Sequence, residues 1–182
     1  LGSALGLHVI GILRDSRIEL APAPSAVLQA MDRLLVEGKL ERMDEIRSLR
    51  ELDIQKEASG KTLLFKEGTG VREVQLKRGS AFEGRSIGGI GIRNLYGLNV
   101  LAMRRGDTIT WSGLKDIRLE RSDILLVHGA VRKIDALGET NEFEKLEIPG
   151  ENQLDEMYRL DDMLFVVRVP ENSPLLDKYL SE

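Results

Sequence analysis

Apart from the polar pair Arg72-Glu73, polar and apolar residues alternate from Val71 to Lys77 (Val-Arg-Glu-Val-Gln-Leu-Lys), which reads as a half-buried strand. Gly79-Ser80 breaks the alternation, and Ser80 is suited to cap the segment after it. Ile87, Ile90, Ile92 and Leu95 then recur at loosely helical spacing in a glycine-containing segment, Arg85 to Leu95. Leu98 to Met103 reads as a strand, turned at Arg105-Gly106-Asp107 into a return strand through Ile109 and Trp111. The short apolar run Ile124-Leu-Leu-Val127 suits a buried strand. Gly129 stops it, and Val131, Ile134 and Leu137 carry helical spacing after it. The predicted order is β-α-β-β-β-α, one small α+β lobe over 71–137.

Most of that pattern occurs twice. Laying Gly6 on Gly97, a shift of 91 positions, aligns 5–46 with 96–137 without a gap. Gly6-Leu7-His8-Val9 falls on Gly97-Leu98-Asn99-Val100, Arg14 on Arg105, and Asp32-Arg-Leu-Leu-Val-Glu-Gly38 on Asp123-Ile-Leu-Leu-Val-His-Gly129. Apolar periodicity alone can align by accident; matched Gly, Arg and Asp positions are a stronger signal. The first copy lacks its opening strand and helix, and the last residues resemble them: Phe165 to Ser173 is similar to Arg72 to Ser80, with Asp177 standing where the second copy has Gly84. Residues 163–182 therefore either complete the first lobe or begin a third repeat. Completion is favoured, because a truncated lobe would leave the edges of its strands exposed.

The expected organisation is a first lobe over 1–49, a connector over 50–70, a complete second lobe over 71–137, an acidic linker over 138–162 and an opening half-lobe over 163–182. In the first lobe Leu7–Leu13 and Ile18–Leu20 read as a hairpin about Asp15-Ser16, and Ala21-Pro-Ala-Pro24 as a stiff loop. Leu40, Met43, Ile46 and Leu49 share one helical face.

A chain of 182 residues with 42% hydrophobic and 31% charged residues has the ordinary composition of a core-forming globular protein. Aromatic residues make up only 4%, so the core must be aliphatic. A net charge of −4 argues against nucleic acid as a partner. Cysteine is absent, which removes disulfides, thiolate metal sites and cysteine nucleophiles together.

Apparent motifs fall short of their chemistry. Ser59-Gly-Lys-Thr62 mimics the end of a P-loop, but the glycine required five positions before Gly60 is Gln55. Gly88-Gly-Ile-Gly91 lacks the third glycine of a dinucleotide fingerprint, where Asn94 stands, and its glycines read better as close packing against the sheet. His8 and His128 occupy repeat positions held by Asn99 and Glu37, and neither has a second histidine at ligand spacing. No catalytic residue is assigned and no metal site is expected, although carboxylates alone could hold a divalent cation. Arg14 and Arg105 each end the same strand before the hairpin turn. An arginine fixed there either takes an anionic ligand on its fork or pairs with a carboxylate of its own lobe.

Glu73-Val74 through Ser80, Gly84 and Arg85, then Tyr96-Gly-Leu-Asn-Val-Leu-Ala-Met-Arg-Arg-Gly106, then Ser122-Asp-Ile-Leu-Leu-Val-His-Gly129, resemble the RCK C-terminal (TrkA-C) domain. Asp32 to Gly38 and the strands before it resemble a second copy. The resemblance implies a cytosolic regulatory module of a membrane transport protein and not an enzyme: a potassium uptake system or channel, or a permease similar to the divalent anion:sodium symporters. In the latter, a segment similar to Tyr158–Ser173 opens the first copy, so residues 158–182 would precede Leu1 in native order. It further implies attachment to the transmembrane part of the same transporter at the inner membrane, homodimerisation through these lobes, and a small effector such as a nucleotide or cyclic dinucleotide. Ser80, Gly84, Arg85 and Arg105 match the family's recurring positions, with Arg14 the counterpart of Arg105 in the first lobe. Asp177 in place of Gly84, and Ser122 in place of the usual glycine, depart from the pattern. A ligand-free dimerisation module is the alternative. A free-standing enzyme would need a cleft gathering carboxylates or histidines, and the sequence shows no such gathering.

Overall fold

The computed structural model describes residues 8–15, 17–38, 52–55, 60–65, 68–146 and 151–180. In chain order the elements are strands β1 (His8–Arg14), β2 (Arg17–Leu20), β3 (Arg33–Glu37) and β4 (Asp53–Ile54), helix α1 (Gly60–Leu64) and strand β5 (Thr69–Leu76). Helices α2 (Ile87–Ile90) and α3 (Ile92–Tyr96) come next, then strands β6 (Asn99–Arg105), β7 (Thr108–Thr110) and β8 (Ile124–Ala130). Helix α4 (Val131–Gly138), strand β9 (Phe143–Lys145), helices α5 (Glu151–Tyr158) and α6 (Leu160–Met163) and strand β10 (Leu164–Arg168) complete the order. These elements form two compact α+β units. Unit 1 draws on Leu1–Leu63 and Arg159–Glu182, unit 2 on Leu64–Tyr158.

Each unit is built on a five-stranded antiparallel sheet, ordered β2-β1-β3-β10-β4 in unit 1 and β7-β6-β8-β5-β9 in unit 2. The two orders are the same once β10 is read in the place of β5. Leu164 pairs with Glu37 and Arg168 with Arg33, so the tail of the chain supplies the strand beside β3. Sequence stretches that read as polar connector and acidic linker also enter the sheets. Ile54 pairs with Val167, Lys145 with Val74, and these short strands close one edge of each sheet. Their brevity hid them: two or three residues are too few to show a period of two. The helix expected over 40–49 lies outside the described residues.

The cores are mainly aliphatic, and several of their positions recur. Leu28, Leu34 and Val36 are buried in unit 1, where unit 2 buries Leu119, Leu125 and Val127. Burying a side chain of this size contributes about 1.5–3 kcal/mol. Phe143, one of two phenylalanines in the unit 2 core, occupies the position of Leu52 in unit 1 and stacks at a tilt on Phe82, 5.8 Å away.

Even an irregularity recurs. The β1–β3 register slips between Val9 and Gly11, and the β6–β8 register between Val100 and Ala102. The extra residues, Ile10 and Leu101, are both fully buried. A bulge changes which face the residues beyond it present, and it bends the strand. Both sheets therefore bend at the same place.

The segment Arg85–Leu95 forms two short helices in place of one. Gly91, with φ 70°, ends α2 and starts α3, a left-handed conformation that costs glycine nothing. Gly88 packs closely, as expected, but its neighbour is not the sheet. A Cβ there would sit 2.9 Å from the Lys115 carbonyl, in the short 3-10 turn Leu114–Asp116. Ser86, not Ser80, caps α2: its Oγ accepts from the Gly89 amide at 3.1 Å. Among the described residues no helix is long and apolar enough to cross a membrane.

Candidate functional site

Arg105 ends β6, and the hairpin turn places its guanidinium over the loop that enters β8. Its Nε and Nη2 each donate to a separate oxygen of Asp123 at 2.7 Å, Nη2 also reaches the Arg118 carbonyl at 3.0 Å, and Nη1 pairs with Glu120 at 2.7 Å. Asp123 in turn accepts from the Glu120 amide at 2.8 Å. Its side chain is fully buried, while that of Arg105 is 37% exposed. Arg14 reproduces this in unit 1: Nε and Nη2 on Asp32 at 2.7 Å, Nη2 on the Val27 carbonyl at 3.0 Å, with the Gln29 amide on Asp32 at 2.8 Å. A planar fork on a carboxylate is the strong, directional form of this ion pair. The hydrogen bond to its aspartate raises the pKa of each arginine above the ordinary value. The matched arginines thus hold the loop that leads into the central strand, and their partners Asp32 and Asp123 were visible in the sequence as matched aspartates.

The other expected residues lie on that same loop's neighbour. Ser80 is buried; its Oγ accepts from the Phe82 amide at 3.1 Å and donates to the Glu142 carboxylate. Gly84 adopts φ 78°, donates its amide to Leu119 at 2.8 Å and accepts from Arg118 Nη1 at 2.9 Å. Arg85 is exposed, lies over the Phe82 ring at 5.6 Å and donates to the Gly89 carbonyl at 3.0 Å. Buried Ser80, exposed Gly84 and Arg85 and half-exposed Arg105 are therefore linked through one hydrogen-bonded network by way of Phe82, Leu119 and Arg118, the last of which sequence reasoning did not single out. Arg14 belongs to the equivalent place in unit 1.

Arg85 and Arg118 both present exposed guanidinium groups that hydrogen-bond to backbone carbonyls. A carbonyl orients a guanidinium without cancelling its charge. In unit 1 the same positions hold Lys178 and Val27, Asp177 replaces Gly84 with φ 61°, and Tyr179 replaces Ser86. The positions that hold Arg85 and Arg118 in unit 2 are thus mixed and partly apolar in unit 1.

The two histidines meet different partners at one matched cross-strand position. His8 lies opposite Glu37, and its Nδ1 is 3.1 Å from the Glu37 carboxylate. Burial pushes the Glu37 carboxyl up from its ordinary pKa, opposed by the bond to His8. His128 lies opposite Asn99 and is fully buried. Its ring nitrogens make no hydrogen bond among the described residues, and burial lowers its pKa to about 4, with only the nearby Leu64 carbonyl acting against it. Among the described residues no three His, Asp or Glu side chains gather as metal ligands.

A second polar cluster escaped the sequence reading. Glu73 of β5, buried at 5% exposure, accepts from Arg104 Nη2 at 2.8 Å and from the Tyr158 hydroxyl at 2.5 Å. Tyr158 ends α5 and meets Trp111 edge-on at 6.4 Å. Nothing in the local sequence pairs residues 85 positions apart, so no pattern announced it.

No curated protein sequence matches the chain. Among solved structures, the RCK C domain of the potassium transport protein KtrA, determined in complex with cyclic diadenosine monophosphate, is 28% identical over 42% of this chain and 87% of its own, with a TM-score of 0.37. The GsuK RCK domain is 20% identical over 43% of this chain and 17% of its own, with a TM-score of 0.36. Within the chain, residues 71–140, which carry β5 through α4 of unit 2, match the TrkA-C domain family.

Proposed function

We propose that the chain is a cytosolic regulatory module of a membrane ion transporter, made of two tandem RCK C-terminal lobes. In this reading the first lobe is unit 1, completed by β10 and the turns after it. The module couples effector binding or dimer packing to transport of potassium or other cations, or of divalent anions with sodium. Its partner is the transmembrane part of the same transporter at the inner membrane. The observation that carries the reading is the TrkA-C match over 71–140 together with the reproduction of its Arg–Asp fork and bulge in unit 1.

The effector this geometry suits best is an anionic nucleotide or cyclic dinucleotide on the surface of unit 2, where Arg85 and Arg118 present charge beside Gly84. Arg105, engaged on two carboxylates, serves as the support of that surface. A thermal-shift screen of the purified chain with nucleotides, cyclic dinucleotides, divalent cations and sulfate tests this. Ligand at a hundred times its dissociation constant adds about 2.7 kcal/mol. The expected result is a shift with a cyclic dinucleotide or nucleotide that Arg85→Ala abolishes, with only a small fall in the ligand-free melting temperature from the lost contacts to Phe82 and Gly89. Arg105→Ala is the wrong control, because it strands a buried aspartate. No shift with any of these compounds rejects the effector reading.

One observation favours the alternative, a ligand-free dimerisation module. Val27, Met31 and Tyr179 expose 37, 51 and 49% of their surface in unit 1, where unit 2 has Arg118, Ser122 and Ser86. Sedimentation of the chain and of Tyr179→Ser separates the readings: a dimer lost in the variant, with no ligand-induced shift, favours the module without effector.

A further inference from the structure

The Glu73–Arg104–Tyr158 cluster stands apart from the proposed effector surface and serves none of its contacts. Tyr158 is the last residue of unit 2, and Arg159, the next residue, begins the second segment of unit 1. Helix α5 has Leu154 and Tyr158 on one face, both buried. Its end is fastened to the sheet by the Tyr158 hydroxyl, which donates to a carboxylate that is itself held by Arg104. Arg104 Nε also lies 3.4 Å from the same hydroxyl. A phenol bonded to a buried charge is worth more than a neutral bond, and here it stands at the C-terminal end of an eight-residue helix. Beyond it Arg159 takes φ 52°, a left-handed conformation that a residue with a side chain adopts only where its surroundings require it. A fastened helix end and a strained residue are thus adjacent, at the point where the chain leaves unit 2 for α6 and β10.

We propose that Tyr158 is a releasable latch: its bond to Glu73 and Arg104 holds α5 on the sheet of unit 2, and α5 detaches at the Arg159 hinge while the sheet stays folded. The latch stands whether or not unit 2 binds an effector. Its natural reporter is Trp111, the protein's single tryptophan, which packs edge-on against the Tyr158 ring.

Native-state hydrogen exchange on the full chain tests it, read over 153–158 and over β5 and β8. In the wild type, α5 is expected to exchange at least tenfold faster than β8, the mark of an opening smaller than global unfolding. Tyr158→Phe keeps the ring and removes the hydroxyl. It should speed exchange in α5 about ten- to a hundredfold, the worth of a hydrogen bond to a charged group, leave β5 and β8 unchanged, and shift Trp111 emission to longer wavelength. Glu73→Gln keeps the shape of the acceptor and should give the same pattern more weakly. If α5 of the wild type exchanges only with β8, or if Tyr158→Phe loosens the whole of unit 2 evenly or leaves α5 unchanged, the cluster is a fixed part of the core and the latch is rejected. The wild-type exchange decides the matter even where a variant does not fold.

Discussion

Where Gly84 turns left-handed at φ 78° in unit 2, Asp177 makes the same turn at φ 61° in unit 1. The backbone bonds around the two are alike: the Gly84 amide donates to Leu119 and the Asp177 amide to Leu28, residues at one matched position. Ser80 and Ser173 also match, each accepting from the amide two residues on, but other side chains over that frame differ: Arg118 against Val27, Ser86 against Tyr179, His128 against Glu37. What the units share is the set of bonds that place the loops; what differs is the chemistry exposed or buried on them. A frame fixed by carboxylate forks, backbone bonds and aliphatic burial leaves side chains outside it free to diverge.

The largest test of that division removes part of the frame. Asp32→Ala and Asp123→Ala should each cost about 3 kcal/mol, because an arginine fork and a loop amide lose a buried acceptor. Hydrogen exchange should show the loss confined to the unit that carries the change. Unequal losses would mean that the shared bonds do not carry equal weight.

Next in size is the response to acid, where the units should move in opposite directions. His128 titrates at about 4 when folded, against an ordinary value of 6.5 for the unfolded chain. Between those values the unfolded chain binds more protons, so the stability of unit 2 falls as pH falls. From pH 7 to pH 5 the loss should be about 2 kcal/mol. Glu37 has a folded pKa raised by burial. Above its unfolded value the folded state holds the extra proton, so its contribution declines as pH rises and unit 1 gains on acidification. Urea titrations at both pH values read unit 2 through Trp111, and His128→Leu should remove the acid sensitivity. Unit 2 being no weaker at pH 5 would show that His128 finds a partner when protonated.

The smallest effect exchanges the turn residues. Asp177→Gly should stabilise unit 1, and Gly84→Asp weaken unit 2, each by about 1 kcal/mol. A Cβ at Gly84 meets nothing within 4 Å, so backbone strain is the whole of the cost. Chemical denaturation of the two variants measures both, and a much larger loss for Gly84→Asp would place a carboxylate-sensitive contact at that turn.

The frame was legible in the sequence because it recurs. Matching Arg14 to Arg105 and Asp32 to Asp123 identified the residues of the fork before any contact was known, though not that each arginine's partner was that aspartate. Val71, Val74 and Leu76 announced β5 as a strand, but not as a half-buried one: residues of both its faces are buried, Val71 and Glu73 on one and Val74 and Leu76 on the other. β4 and β9 have two and three residues, and their polar surroundings read as linker. The cluster at Glu73 was silent for a different reason. A buried carboxylate looks in sequence like any solvated one, and its partners come from two other elements. Of the expected site residues, the loop neighbours Ser80, Gly84 and Arg85 came from the family resemblance, while Arg118 carried no signal of its own beside the many surface arginines.

Strand β10 sits between β3 and β4, yet all of unit 2 lies between those strands and β10 in the chain. Pairing Glu37 with Leu164 closes a loop that contains an entire second unit, whereas β5 finds β8 across a much shorter span. The entropy of closure grows slowly with length, but folding slows as contacts become less local. Unit 2 should therefore acquire its structure first, and unit 1 should depend on the late arrival of a single five-residue strand. In refolding experiments a fast phase in Trp111 emission should precede the closure of unit 1, and a chain cut before Leu164 should keep the first phase and lose the second.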